Sequence, residues 1–560
     1  MNLTKINPKI WWTLLILFTW YFIFSKIAST DLWWHMACGR YFFENGSYPA
    51  NDFFSYTPVV AISSNSATWL GDIVLYLIYC VGGDIGMHLF RFIAIMMPVL
   101  LMLKFTKWKY NSWTLLAAVV IVVGTIQIHH VRNSIFALFF IPLILLVWSE
   151  TDKERLCLLA YPGIFKIWSM MHGYCIVGIV VLGLIFIGEI LDRSTTKSYL
   201  ALFFCIIIMS YSMMNDDYSV PAKNVIENVK ETIVETSAVK NTYPNDLFRI
   251  FMKGGDTDYV SEYQSPFDVA YTLPVRTLFL FAFCYLFYLS TLRIKDISFA
   301  SFIPSICVLY LSFGYLRTTP FAFLVTMPFM AAGISKVFKN ENKRLFLAPM
   351  IICLCFLATT HYYYKTNNFY VLTRILPSEP GFGKSNIHDS VIPDYVLENY
   401  PDDIYNSFNT GAYLLWSWYG KKRVFIDGRT VNYDPDFYND YRYNYGEKYI
   451  DEYDLKRGVF SLIMDQKEIK HFLVKGWVPV VFDTSMVIME KCGSIIPEFT
   501  GNIEKLDKIP KLHKIKIGEF VIQMINSMSN QGHGESSATF CENEKQLLDK
   551  LSIKIEVKRS

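Results

Sequence analysis

Asp31 and His35 lie four residues apart in the run S-T-D-L-W-W-H-M-A-C-G-R (29–40), so one helical turn brings a carboxylate and an imidazole to the same face. Asp52 follows after a turn marked by Gly46 and Pro49. Acids and an imidazole in this pattern can take the proton of an acceptor hydroxyl, or hold a divalent cation. A plainer reading stands beside the chemical one. Asp31 would cap a short helix, Asn51–Asp52 would open a turn, and Trp33, Trp34, Phe42 and Phe43 would form an interfacial belt.

Basic groups interrupt the apolar runs at three places. Arg132 stands with His129, His130 and Asn133; His172 follows Trp168 and precedes Gly173; Arg317 follows Tyr315. A guanidinium pairs bidentately with phosphate, so Arg132 and Arg317, with His172, are candidate clamps for a lipid-linked phosphate. Snorkelling of a long side chain is the competing account of each arginine. Further along, Glu262 lies in S-E-Y-Q-S-P-F-D (261–268), and Asp427 and Arg429 end the run R-V-F-I-D-G-R (423–429), with Asn406 upstream. These residues would bind an acceptor or serve structure, as strand-end caps and an internal ion pair.

Hydrophobic residues make up 53% of the 560 and charged residues 18%, against about 25% charged in soluble domains, which points to a bilayer. The balance of 52 Lys and Arg against 49 Asp and Glu leaves +3, which excludes a nucleic-acid binder. An aromatic share of 17% suits a lipid interface. Most of the 11 cysteines lie in apolar runs (Cys80, Cys205, Cys284, Cys307, Cys353, Cys355) and read as buried small hydrophobes.

Apolar runs near 10–28, 87–104, 112–128, 134–148, 174–190, 198–212, 273–291, 297–314, 318–334 and 344–360 read as spans, and either 69–82 or 155–169 supplies one more. The expectation is an α-helical integral membrane protein of about 11 transmembrane helices with a small C-terminal α/β soluble domain. Residues 1–361 would form the membrane domain, with outer loops at 29–68 and 213–272, and residues 362–560 an extracytoplasmic domain. In that domain the pattern predicts helices over 390–404 and 412–419, a buried strand over 423–429 and a hairpin around 477–490.

The motifs D-L-W-W-H-M-A-C-G-R (31–40), N-G-S-Y-P-A-N-D-F-F-S-Y-T (45–57), T-W-L-G-D (68–72), W-S-M-M-H-G (168–173), S-E-Y-Q-S-P (261–266), Y-L-R-T-T-P (315–320) and the run 405–429 together resemble those of bacterial polytopic membrane proteins of the GT-C glycosyltransferase superfamily. The resemblance implies a GT-C-like bundle in the bacterial cytoplasmic (inner) membrane, multi-pass, with the C-terminal domain on the outer side. It implies a polyprenyl-phosphate sugar donor, a lipid, glycan or protein acceptor, and contact with membrane lipids. Asp31 would orient or deprotonate the acceptor hydroxyl, His35 or Asp52 would assist, and the lipid phosphate would leave with inversion. Some members of the superfamily bind a divalent cation. A non-catalytic assembly factor and a lipid-linked polysaccharide transporter are the alternative functions.

Overall fold

The computed structural model describes residues 8–47, 52–59, 68–105, 112–150, 160–192, 273–290, 297–337, 381–491 and 498–499, with 358 and 520 singly. The expected loop 213–272, with Glu262, and the expected spans at 198–212 and 344–360, apart from residue 358, lie outside them. The chain divides into two compact units. The first comprises Met1–Phe24, Ser66–Gly71 and Gly86–Ile375; the second comprises Ser25–Asn65, Asp72–Ile85 and Leu376–Ser560. The expected boundary at 361 follows apolar density along the chain, whereas the contacts assign 25–65 and 72–85 to the second unit.

The helices are α1 (Pro8–Ile23), α2 (Asp31–Asn45), α3 (Trp69–Phe105), α4 (Ser112–Gly124), α5 (Ala137–Glu150), α6 (Ala160–Ser169), α7 (Cys175–Leu191), α8 (Leu273–Ser290), α9 (Phe299–Gly314), α10 (Thr319–Val337), α11 (Ile392–Asn399), α12 (Phe408–Ser417), α13 (Pro435–Asn444), α14 (Glu447–Glu452) and α15 (Gln466–Val474). Among the described residues one helix, α3, is long and apolar enough to cross a membrane by length and composition; six further apolar helical segments run 10–17 residues. A span needs about 20 residues at 1.5 Å each. The expected bundle of about 11 spans, and the multi-pass inner-membrane placement built on it, are corrected by this finding.

The physical reason is that apolar runs stop as helices sooner than as hydropathy. The run 112–128 ends its α-helix at Gly124, where Thr125 Oγ1 donates back to the Ile121 carbonyl at 2.7 Å and a 3-10 turn, Ile126–Ile128, follows. The two runs 69–82 and 87–104 are two helical stretches within Trp69–Phe105, separated by a kink at Gly83, whose backbone is not helical (φ 54°, ψ −145°).

In the first unit the apolar faces pack on one another. Ile141, Ile144, Leu145, Trp168, Val181, Phe323 and Val325 are fully buried. Gly188 permits a close approach of backbones: a Cβ there would lie 2.3 Å from the Ala300 Cα. Asp192, just past α7, accepts the Phe299 and Ala300 N–H groups at 2.8 and 3.1 Å and so caps α9. Cysteine burial is mixed. Cys38 and Cys175 are buried, but Cys80 and Cys284 are exposed, contrary to the expectation for those two.

The second unit holds a five-stranded sheet of β1 (Tyr405–Asn406), β2 (Arg457–Ser461), β3 (Trp477–Phe482), β4 (Met486–Lys491) and β5 (Glu498–Phe499), in the order β1-β2-β4-β3-β5. β3 and β4 form an antiparallel hairpin with a register shift between Pro479 and Val481, where proline supplies no N–H. Asp483 in its turn accepts from the Ser485 and Met486 N–H groups and also from Val391, at the start of α11. Tyr405, Phe425, Phe437, Phe460, Phe472 and Phe482 make an aromatic core.

The run 423–429 does not join the sheet. It pairs with the first-loop motif through an isolated bridge, Ser55 to Val424, with Val424 N–H to the Phe54 carbonyl at 2.9 Å and Tyr56 N–H to the Val424 carbonyl at 3.2 Å. The Asn406 amide takes the place of a neighbouring strand: it accepts from Phe425 N–H and donates to the Ile426 carbonyl, both at 2.7 Å. α12 runs so close to this segment that a Cβ on Gly411 would lie 1.8 Å from the Ile426 carbonyl oxygen.

Gly411→Ala is therefore expected to lower the unfolding free energy by about 1–3 kcal/mol, or to prevent folding of the second unit. Gly163→Ala, where a Cβ meets nothing within 4 Å, should be neutral or stabilising by up to about 1 kcal/mol. Denaturant melts of the two variants check this, and similar shifts for both would contradict it.

Candidate functional site

The second unit brings three of the expected residues onto one ion-pair node. Arg429 is 3% exposed and Asp427 fully buried. The guanidinium holds Asp427 through Nε at 2.9 Å to Oδ1 and Nη2 at 2.6 Å to Oδ2, and holds Asp52 through Nη1 at 2.9 Å. Its plane also lies over the Phe54 ring, 4.8 Å from the centroid. Tyr433 Oη donates to Asp427 Oδ2 at 2.9 Å and accepts the Asp427 N–H at 3.0 Å. Asp52 further accepts the Phe54 and Ser55 N–H groups and the Ser55 hydroxyl. Asp52 thus opens the local turn and pairs with Arg429 at once.

Burial alone would raise the Asp52 carboxyl. The Arg429 charge and the hydrogen bonds from Arg429, Ser55 and Phe54 outweigh it and hold the group below the usual carboxylate range. Burial works against the Arg429 charge too, but Asp427 and Asp52 more than restore it. A carboxylate held this firmly as an anion is a weak base, and its oxygens are committed to donors. Among the described residues no group of three or more His, Cys, Asp and Glu could hold a metal ion, and the oxygens of Asp52 and Asp427 are arranged around a guanidinium. This node does not fit a divalent cation.

Asp31 and His35 sit one turn apart on α2. Thr30, not Asp31, is the N-cap, and it makes no side-chain cap bond. Asp31 stands in the first turn, where the helix dipole favours a negative charge. The buried His35 imidazole lies with Nδ1 2.6 Å from Oδ1 of Asp72, a fully buried acid in the first turn of α3. This contact commits Nδ1, so proton exchange with a ligand would run through Nε2. The two helices meet at Gly39, where a Cβ would lie 2.2 Å from the Asp72 carbonyl oxygen. Gly428, in the loop between Asp427 and Arg429, comes close to the same place: a Cβ on it would lie 2.9 Å from Trp34 Nε1 and 3.3 Å from Asp31 Oδ1. The node and the Asp31 turn are thus neighbours.

The aromatic residues of this motif divide between core and surface. Trp33 is fully buried against His388 (centroids 5.3 Å apart) and Tyr413 (5.0 Å), while Phe43 is 59% exposed. Burial, with the Lys384 charge nearby, pushes the His388 imidazole down to about 3.

The expected phosphate-binding residues lie in the first unit. Arg317 Nε donates to Tyr174 Oη at 2.7 Å, and His172 Nδ1 accepts the Tyr174 N–H at 3.1 Å, so Tyr174 joins these two. Arg132 Nε donates to Ser134 Oγ at 3.1 Å. T-W-L-G and M-M-H-G also meet in this unit, with the Leu70 N–H donating to the Met170 carbonyl at 3.1 Å.

Asp72 and Tyr433 are site residues that the sequence reading did not single out. Asp72 carries a signal, an acid at the head of a long apolar run inside T-W-L-G-D. Tyr433 carries none, because its role depends on the chain turning back after Arg429.

No family model and no curated protein matches the sequence. Solved structures do match in fold. The apo crystal structure of the Archaeoglobus fulgidus oligosaccharyltransferase superposes with a TM-score of 0.55 at 12% identity, over 88% of this chain and 75% of that one. The same enzyme tethered to an acceptor peptide containing the NVT sequon gives 0.52 at 13% identity, over 84% and 72%. The likeness is one of fold and is distant. Together with the single candidate span among the described residues, it corrects the assignment to the polytopic GT-C membrane proteins to a distant likeness in fold to an oligosaccharyltransferase.

Arg429→Ala would leave the buried Asp427 and the part-buried Asp52 carboxylates without their cation and is expected to cost about 3–5 kcal/mol of stability. Because the Asp52 pKa is lowered on folding, its contribution is present above the unfolded-state carboxylate value and is lost as the pH falls through the folded value. Wild type should therefore lose stability on acidification below the ordinary carboxylate range. Asp52→Asn should be less stable at neutral pH and flatter across that acid window. Melts of both proteins at stepped pH measure this, and parallel pH profiles would contradict it.

Proposed function

We propose that the chain is a transferase that moves a sugar from a polyprenyl-phosphate-linked donor to an acceptor hydroxyl or amide, with inversion at the anomeric carbon. The observation that carries this reading is the buried contact between His35 and Asp72, one turn from Asp31 on a helix that lies beside the Arg429 loop. The fold similarity to an oligosaccharyltransferase and the motif pattern of the first loop support it.

On this reading Asp31 is the catalytic base. Its carboxylate takes the acceptor proton as the acceptor atom bonds the anomeric carbon, and the bond from that carbon to the phosphate oxygen breaks. The electron pair leaves with the polyprenyl phosphate. His35, its Nδ1 committed to Asp72, assists by orienting the acceptor through Nε2. Asp52 serves as a positioning residue, because it is held by Arg429. Asp427 and Arg429 have the structural role of the two roles open to them. Glu262 keeps its reading as an acceptor or structural residue.

Arg132, Arg317 and His172 hold the donor phosphate on this reading. Arg317 has the firmest support, since its bond to Tyr174 Oη and the ring 5.2 Å from its guanidinium carbon fix the plane of the group. The acceptor is a lipid, a glycan or a protein, and the hydrocarbon tail of the donor requires lipid or detergent in any assay.

The experiment is turnover of radiolabelled polyprenyl-phosphate sugars by full-length protein in lipid, with acceptors from a native membrane extract. Asp31→Asn should reduce transfer by about a hundredfold or more with unchanged melting, and His35→Gln and Asp72→Asn, which also break a buried contact, by comparable and smaller factors respectively with a lowered melt. Arg317→Lys should mainly raise the donor KM. No consumption of any common polyprenyl-phosphate sugar by wild type, or full activity in Asp31→Asn, would overturn the proposal.

A further inference from the structure

A groove of about 580 Å³ lies elsewhere on the second unit, between the chain entering β1 (400–404) and the chain entering β2 (453–457). These segments are neighbours because β1 and β2 pair in parallel, with Tyr405 opposite Gly458. The volume falls in the range of small-ligand sites, about 300–1,000 Å³.

Both walls are held in place by bonds behind them. Lys422 Nζ donates to the carbonyls of Tyr400 and Pro401 at 3.1 and 3.2 Å, and also to that of Asp402. Tyr56, from the first-loop motif, donates its hydroxyl to the Ile404 carbonyl at 3.1 Å and meets the Tyr453 ring edge-on at 5.7 Å. The Tyr453 ring is thus fixed while the residue stays 37% exposed. On the other side Arg457 lies 4.6 Å over the Tyr400 ring and pairs with Glu490 at 2.7 Å.

The lining combines a supported aromatic face with planar hydrogen-bonding groups: the carboxylates of Asp402, Asp403 and Asp454 as acceptors, and Lys456 and Arg457 as donors. Charge narrows the ligand class. Arg457 is neutralised by Glu490, Lys456 lies 3.4 Å from Asp454, and the Lys422 ammonium behind the wall offsets Asp402 and Asp403, so the groove carries little net charge to hold phosphate or another ion. A sugar ring fits the remaining chemistry. Its C–H face lies on an aromatic plane, and its hydroxyls donate to carboxylates and accept from ammonium or guanidinium groups.

We infer that this groove binds an uncharged oligosaccharide, with Tyr453 as the stacking platform and Asp402 and Asp403 as hydroxyl acceptors. That this oligosaccharide is the acceptor chain of the transfer reaction rests on the function proposed above; the binding itself rests on the groove alone.

Saturation-transfer NMR on the full-length protein in detergent, with a panel of neutral tri- and tetrasaccharides of glucose, mannose and N-acetylglucosamine, tests it. At least one member should show contact. Tyr453→Ala should weaken it about tenfold, equivalent to 1.4 kcal/mol, while Tyr453→Phe retains it. The double variant Asp402→Asn with Asp403→Asn should weaken binding without changing the melt, and inorganic phosphate should not compete. Asp31→Asn should bind as wild type does, so binding without transfer in wild type supports the groove and counts only against the transferase. Absence of contact with every member of the panel, or equal contact in wild type, Tyr453→Ala and the double Asp variant, would overturn the inference.

Discussion

A buried guanidinium must be matched by negative charge and by oriented hydrogen bonds, or the unit that contains it does not fold. Arg429 satisfies that demand with Asp427, two residues away, and with Asp52, which lies 377 positions earlier in the chain. Two carboxylates around one cation leave a surplus negative charge, and the Ser55 hydroxyl, the Tyr433 hydroxyl and the backbone N–H groups of Phe54 and Ser55 absorb it. Replacing a buried ion-pair node by apolar residues of similar volume is often neutral for stability, so the effect of this node is read in the geometry it fixes. Here the geometry is the passage of the 424–429 segment beside 52–59, and with it the placement of Gly428 against Trp34 and Asp31.

The same logic extends outward. Once the 424–429 segment is pinned, Asn406 can complete its backbone bonds, and α12 can approach at Gly411 to within contact of the Ile426 carbonyl. α2 is held from another side by the closeness of Gly39 to Asp72, which also brings the Asp72 carboxylate to His35. Asp31 and His35, to which the proposed reaction assigns the chemistry, are thus fixed by close backbone approaches at glycines and by one ion-pair node. The Asp52 oxygens are used in fixing them, so the acid that spacing suggested as a second base has a positioning geometry.

Local chemistry was legible in the sequence where neighbours along the chain decide it. The one-turn spacing of Asp31 and His35, the turn at Asp52, the hairpin around 477–490 and the pairing chemistry of Asp427 with Arg429 all follow from residue type and short spacing. What hydropathy could not show is where an apolar run stops being a continuous helix. Gly124 with Thr125 ends one such run, and Gly83 divides another into two helical stretches, so the length of an apolar window is not the length of a helix. The run 423–429 has the composition of a strand, yet the Asn406 side chain occupies its hydrogen-bonding groups, which no local pattern reveals. Asp52 with Arg429 and His35 with Asp72 are contacts of long sequence separation, and only the fold brings them together.

The claim on which the rest depends is that one guanidinium ties the first-loop segment to the 424–433 segment. Hydrogen exchange of the full-length protein, wild type beside Arg429→Gln, measures it most directly. The expected result is that amides of 31–45, 52–59 and 424–433 lose protection together in the variant, while those of β3 and β4 keep theirs. Loss confined to 424–433, with 31–45 and 52–59 unchanged, would contradict the account.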